Sequence, residues 1–244
     1  MTGSRRAALQ PAFLLHHRDF RDSSRIIELL TREHGRISLF AHGVKRAKSP
    51  LRALLQPFVP LLVSWSGGTD GGQLAGAELA GEASPMPPPR LMSGFYLNEL
   101  LLRLTPREEA VHEVFDLYAL TLETLRQGGP EEATLRAFEQ RLLGHLGYGL
   151  DASRESASGE PLAAERYYHF LPGIGLRAAG AEAGPEAAFL GAHLIEFAGG
   201  RLDSPEALRT AKRLLRAALA HCLEGRGLRS RDVMLALRRL EADR

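Results

Sequence analysis

Between Gly81 and Pro89 the chain reads GEASPMPPP, and the sequence has a different texture on either side of it. Three consecutive prolines after a Ser-Pro favour extended polyproline II, which acts as a semi-rigid connector. Upstream, short apolar runs are punctuated by glycine. Downstream, apolar residues recur at steps of three and four. With 244 residues, more than the ~100–200 usual for one domain, a two-domain chain is expected. The reading is an α+β protein: a small β-barrel domain over residues 1–80, a Pro-rich linker at 81–89, and a mainly α-helical domain over 90–244.

In the first part, Phe13–His17 and Ile37–His42 are compact runs of strand-compatible residues, as is Phe58–Trp65. Gly35, Gly43, Gly67-Gly68 and Gly71-Gly72 mark turns between them. Ile26–Thr31 fits a strand or a helical turn on periodicity alone, and a run around Gln73–Leu79 brings the total to about five strands. That is the size of the five-stranded Greek-key barrel known as the OB-fold. Leu51–Leu55 reads as a short helical turn, stopped before Pro57.

In the second part, Leu91–Leu104 is apolar nearly all round, as a buried helix should be. Val111, Val114, Phe115, Tyr118, Leu122 and Leu125 form a continuous stripe that Gly128-Gly129 and Pro130 end. Leu135, Phe138, Leu142 and Leu146 repeat the stripe up to Gly147. Residues 150–185 are rich in Gly, Ser and Ala with little period, and read as a loop-dominated insert. A helix capped by Ser204 with Pro205 in first position runs to about Cys222, and a last one spans about Ser230–Leu240.

Several function classes are excluded. No stretch approaches the ~18 apolar residues of a membrane span, and no secretory signal is expected, because Gln10 and Pro11 interrupt the only early apolar run. The single cysteine, Cys222, rules out an internal disulfide framework and any cysteine-based zinc site. GGTDGG at Gly67–Gly72 lacks the Lys-Ser/Thr of a P-loop, and Gly173-Ile174-Gly175 lacks the third glycine of a dinucleotide fingerprint. With no H-E-x-x-H and no G-x-S-x-G, the chain reads as a non-enzyme without metal or cofactor, in the cytoplasm.

The net charge of +2 hides a polarity: residues 1–60 carry 11 Lys/Arg against 4 Asp/Glu, residues 61–200 carry 9 against 19, and residues 201–244 carry 11 against 6. Basic ends around an acidic middle suggest a polyanion partner. In Gly43–Pro50 (GVKRAKSP), Lys45, Arg46 and Lys48 lie in one loop between two strands, where flexible cations can reach phosphates without fixed geometry. Arg18, Arg21, Arg25, Arg32, Arg36 and Arg52 extend that surface, with Phe20 and Phe40 as stacking rings or core residues. On the helix 204–222, Arg209, Lys212, Arg213 and Arg216 stand at i, i+3, i+4 and i+7, so they share one face. Either group can instead be a solvated surface that binds nothing.

LRAFEQRLLGHLGYG at Leu135–Gly149 resembles the bacterial recombination mediator family RecO. So do residues 12–49, LLQPFVPLLVSWSG (54–67), MSGFYLNELLLRL (92–104), EALRTAKRLLRAAL (206–219) and LRSRDV (228–233). The likeness is to the gammaproteobacterial type, and it is weakest over 150–200. It implies an OB-fold followed by a helical domain, binding of single- and double-stranded DNA, and annealing of complementary strands. It also implies association with the acidic tail of single-stranded-DNA-binding protein (SSB) and with RecR. These associations help to load RecA onto SSB-coated gaps in the RecFOR pathway of recombinational repair, which places the protein at the nucleoid. The four-cysteine zinc module of some family members is absent: Asp151–Gly159 holds no cysteine, so that loop is expected to be held by packing.

For the SSB tail, acidic with an apolar end, the receptor should be an apolar groove rimmed by Arg. The matching region offers Arg136 and Arg141 as rim and Phe138 and Leu142 as floor, although the last two also belong to the core stripe. The sequence leaves two competing functions open, an OB-fold RNA-binding accessory factor and a protein adaptor that does not bind DNA.

Overall fold

The computed structural model describes residues 6–81, 84–180 and 188–242. The end of the 150–185 insert and part of the Pro-rich segment therefore lie outside the described residues. Five strands close a barrel in the order β1 (Arg6–Phe20), β2 (Ser24–Thr31), β3 (Gly35–Ala41), β5 (Asp70–Leu79), β4 (Pro60–Ser66), with α1 (Pro50–Leu54) between β3 and β4. All neighbouring pairs are antiparallel except β3 with β5. This is the OB-fold expected from the sequence, and it settles Ile26–Thr31 as strand.

Period-two alternation builds the barrel's interior. Ile27 and Leu29, Ile37, Leu39 and Ala41, and Leu61, Val63 and Trp65 all face inward and are buried. Each such large side chain contributes roughly 1.5–3 kcal/mol by leaving water. β1 is longer than its apolar run because Gln10 and Pro11 are accommodated by a bulge, where the register with β4 shifts between Ala7 and Gln10. Leu9, at φ 50°, carries that bulge and donates its N–H to the Ser64 hydroxyl over 3.0 Å.

The chain divides into two compact units: residues up to Gly129 together with Leu228 onward, and Pro130–Gly227. The division does not follow the Pro-rich segment, because α2 (Leu91–Leu104), α3 (His112–Arg126) and α7 (Arg229–Ala242) belong with the barrel. Nor is that segment wholly extended, since Met86 is buried and Pro88–Arg90 form a 3-10 turn leading into α2.

Two of the interactions holding α2 and α3 to the barrel are specific. Phe13, on the barrel's outer face, packs its ring 5.3 Å from Phe115 and 5.1 Å from Tyr118. A second bulge in β1, between Leu14 and His16, leaves the Leu15 carbonyl to accept from Asn98 Nδ2 over 2.9 Å, while the Tyr118 hydroxyl donates to Asn98 Oδ1. Burial pushes the Tyr118 phenol far above its ordinary pKa, so it remains a donor. Gly94 permits the approach of α2, because a Cβ there would sit 2.7 Å from the Phe58 ring.

α7 is anchored by one carboxylate. Glu99 of α2 accepts from the Arg229 and Ser230 amides over 3.0 and 2.8 Å and from the Ser230 hydroxyl over 2.7 Å. These are amides that a helix start leaves without partners.

The second unit contains α4 (Glu131–His145), β6 (Tyr167–Leu171), β7 (Gly175–Ala178), β8 (Phe189–Leu190), α5 (Gly191–Ala198) and α6 (Pro205–Cys222). The insert is thus less loop-like than its composition suggested, for β7, β6 and β8 form a three-stranded sheet. Strands of two to five residues are too short to show a period. In place of zinc, hydrogen bonds as well as packing organise the preceding loop. Glu155 accepts from the Ala178 amide and the Ser158 hydroxyl, each over 3.0 Å, and the Ser156 amide donates to the Leu176 carbonyl over 2.7 Å. α6 begins as its cap foretold, with the Ser204 hydroxyl accepting from the Ala207 amide over 3.0 Å.

Candidate nucleic-acid interface

The strand register sorts the barrel's outward-facing residues into rows, since residues directly opposite on neighbouring strands share a face. One row runs Phe13–Leu30–Arg36, and its Phe13 is covered by α3. The next runs His16–Glu28–Ser38–Asp70, and a third runs Arg18–Ile26–Phe40–Gln73. Beyond it, Phe20 pairs with Ser24, whose hydroxyl lies 3.2 Å from His42 Nδ1. The third and fourth rows are open: Arg18, His42 and Gln73 are exposed, and Ile26, Phe20 and Phe40 are half-buried.

The basic loop rises at this open end. The Lys45 amide donates to the Ser23 carbonyl over 3.0 Å, which ties the loop to the β1–β2 turn. Arg46 and Lys48 are exposed, as are Arg52 on α1, Arg18 and Arg21. Arg18, Arg46, Lys48 and Arg52 form no ion pair with any described residue. Lys45 is partly committed: its ammonium, 2.9 Å from Asp19, together with Arg25 at 3.3 Å, holds the Asp19 carboxyl below its ordinary range. Arg21 occupies the β1–β2 turn at φ 53°, a conformation strained for a side-chain-bearing residue, and its guanidinium lies 5.1 Å from the Phe20 ring centre.

Arg36 is a correction. Its guanidinium turns inward, donating to the Thr105 carbonyl over 3.0 and 3.3 Å and to Glu28 over 3.5 Å. Burial first, and then the neighbouring Arg107 cation, lower its pKa. Arg107, passed over in the sequence, pairs with Glu28 at 2.8 Å and Asp70 at 3.3 Å. Together they fasten the segment after α2 to β2 and β3. Gly35 serves the same junction, because a Cβ there would collide with the Glu109 carbonyl. Arg32 is likewise engaged, by both carboxylate oxygens of Asp116 at 3.0 Å.

The cations of α6 are all exposed, as their spacing required. Each nevertheless has a partner. Arg209 pairs with Glu206 at 2.5 Å, Lys212 with Glu132 at 2.8 Å, and Arg213 lies 4.7 Å from the Phe189 ring centre. Arg216 also has a partner.

The tail-binding assignment on α4 fares worse. Phe138 and Leu142 are 1% and 0% exposed and belong to the core. Arg136, 8% exposed, is ion-paired with the buried Glu139. Of the four residues only Arg141 faces solvent, so they do not form a rimmed groove. The signal misread was the stripe itself, because core packing used every apolar position that a groove would need.

His42 is what the sequence reading missed. It stands two positions after Phe40, one residue past the end of β3, and its ring lies 6.2 Å from that of Phe40.

Comparison with known proteins agrees with this geometry. Residues 6–82 match the family model for the Recombination protein O N terminal domain, and residues 88–232 that for the Recombination protein O C terminal domain, the two meeting at the Pro-rich segment. The chain is 44% identical to a DNA repair protein RecO of Methylococcus capsulatus, over 93% of each chain. It is 41% identical to one of Nitrosococcus oceani, over 96% of each, and 38% identical to one of Cellvibrio japonicus, over 93% of this chain and 97% of that one.

Proposed function

Because the chain belongs to the RecO family of DNA repair proteins, we propose that it binds single-stranded DNA on the open outer face of β1–β3 and anneals complementary strands there. The observation that carries this reading is the set of exposed cations without acidic partners among the described residues: Arg18 on an open row of an OB barrel, Arg46 and Lys48 in the loop tied to that end, and Arg52 on α1. Phosphates on two strands repel each other. Cations that neutralise both strands lower that repulsion, while base pairing supplies the specificity. The protein needs no catalytic step for this, and Arg36 plays no part in it.

The finer roles follow from the family resemblance. The protein also holds duplex DNA and helps to load recombinase RecA onto SSB-coated gaps, with RecR as a partner and an SSB-tail contact for which Arg141 is the remaining exposed cation. Arg209, Lys212, Arg213 and Arg216 offer a second, weaker phosphate surface, since DNA there must compete with partners already in place. No described helix is long and apolar enough to cross a membrane, and a cytoplasmic, nucleoid-associated site is part of the proposal.

The test is annealing of two complementary oligonucleotides pre-coated with the cognate SSB, followed by fluorescence over a salt series. Acceleration at low salt that fades as salt rises is expected. If bare strands anneal and coated ones do not, DNA binding stands and the SSB contact fails. No acceleration of either leaves the adaptor as the better reading.

A further inference from the structure

The open end of the barrel carries more than charge. Phe20 and Phe40, from different strands, bring their ring centres to 5.1 Å at 54°, and neither belongs to the barrel core. His42 continues the surface, its ring within 11° of parallel to Phe40 and 6.2 Å away. The Ser24 hydroxyl 3.2 Å from His42 Nδ1 fixes that ring's orientation. Three flat groups on one outer face, each at least partly exposed, are an unusual use of surface for residues that could have packed inward. Cations border them: Arg18 shares Phe40's row, and Arg21 lies against Phe20.

We infer that Phe40 and His42, braced by Phe20, form a stacking platform for unpaired nucleobases, with Arg18 and Arg21 placed for the adjoining phosphates. This rests on the DNA-binding reading and deepens it. Cations alone bind single and double strands alike, whereas a ring can stack only on a base that is free of its partner. The platform therefore makes this face selective for the single strand. It also gives annealing a direction: a base leaves the platform when it pairs, so the duplex product is held less tightly than the strands that formed it. Stacking is indifferent to base identity, in keeping with a surface that presents no groove-reading helix.

The experiment compares the full-length protein with a Phe20→Leu/Phe40→Leu variant, using oligo-dT, an abasic oligomer with the same number of phosphates, and a blunt duplex at one salt concentration. For the parent protein, oligo-dT should bind about tenfold more tightly than the abasic oligomer, from the ~1–3 kcal/mol of one stacked base. The variant should lose that tenfold preference and keep its duplex affinity within about twofold. A Phe40→Trp variant provides a readout that does not depend on loss of function: its emission should be quenched by oligo-dT and unchanged by the abasic oligomer, Trp65 being buried and the only native tryptophan. Equal binding of oligo-dT and the abasic oligomer by the parent, with no quenching of Phe40→Trp, overturns the platform. In that case the phosphate surface still stands if charge reversal at Arg46 and Lys48 weakens all three probes. If that reversal too has no effect, the DNA-binding reading itself fails.

Discussion

The open face of the barrel and the basic face of α6 look alike in sequence, since each gathers several cations on one surface. The structure separates them by their neighbours. On the barrel, Arg18, Arg46, Lys48 and Arg52 meet no acidic partner among the described residues. On α6, Glu206, Glu132 and the Phe189 ring already hold three of the four cations. The spacing of charges along a helix determines which way they point. Whether a charge is still available depends on elements distant in sequence, as Glu132 is from Lys212. Arg36 and Arg136 are the extreme cases, cations that the fold has taken for itself.

The sharpest break of this comparison is at Arg136. Arg136→Ala takes one charged partner from Glu139, 1% exposed, in the second unit, and should destabilise that unit by roughly 2–3 kcal/mol in thermal or urea unfolding. If Arg136→Ala is as stable as the parent, its ion pair is not structural and a role in peptide binding returns.

Charge reversal comes next. Arg18→Glu with Arg46→Glu and Lys48→Glu should cut affinity for oligo-dT by on the order of 100-fold at low salt, whereas reversal of Arg209, Lys212 and Arg213 should cost less than about tenfold. Equal losses would erase the distinction between the two surfaces. Circular dichroism of both variants checks that neither effect comes from unfolding.

Glu99 is the acidic counterpart of these cations, a charge consumed by the fold. Burial raises its pKa, but hydrogen bonds from the Ser230 hydroxyl and from the Ser230 and Arg229 amides outweigh this, and the net pKa is lowered from 4.5. A carboxyl with a lowered folded pKa adds stability that is complete above the unfolded value of about 4.5 and is lost as pH falls through the folded value. Docking of α7, followed by hydrogen exchange, should therefore weaken only below that range. Glu99→Gln should cost about 1 kcal/mol at neutral pH and flatten the acid-dependent loss. An unchanged acid profile in Glu99→Gln would mean that another group controls it.

The smallest effect separates binding from folding at a single residue. Arg21→Gly relieves a left-handed backbone while removing a cation and its stacking on Phe20, so stability should stay within about 1 kcal/mol while oligo-dT affinity falls several-fold. A stability loss well beyond that, with affinity intact, would make Arg21 a structural residue.

Much of this was legible in the sequence wherever a period was long enough to read. α2 begins and ends at the predicted Leu91 and Leu104, and the Ser204-Pro205 start of α6 is found as expected, because caps and stripes are local signals. The β6–β8 sheet was not legible, its strands being shorter than any alternation that could be counted. The site was half-readable. Phe40 and His42 stand two apart in sequence, but His42 lies past the end of β3, and joining the pair to Arg18 and Phe20 needs the register of three strands, which the bulge between Leu14 and His16 resets. The tail groove on α4 failed for a different reason: an apolar stripe on a helix has the same sequence whether it lines a core or a cleft.

The most direct test of the central claim, that the barrel's open face is the DNA surface, is the salt dependence of oligo-dT binding. It compares the parent chain, Arg18→Gln/Arg46→Gln/Lys48→Gln and Arg209→Gln/Lys212→Gln/Arg213→Gln. Each phosphate of a single strand that a variant no longer neutralises lowers the slope of log affinity against log salt by about 0.7, so the barrel variant should lose about 2 and the α6 variant less than about 1. A barrel variant with the parent's slope, beside an α6 variant that loses about 2, would contradict the account and move the DNA surface to α6.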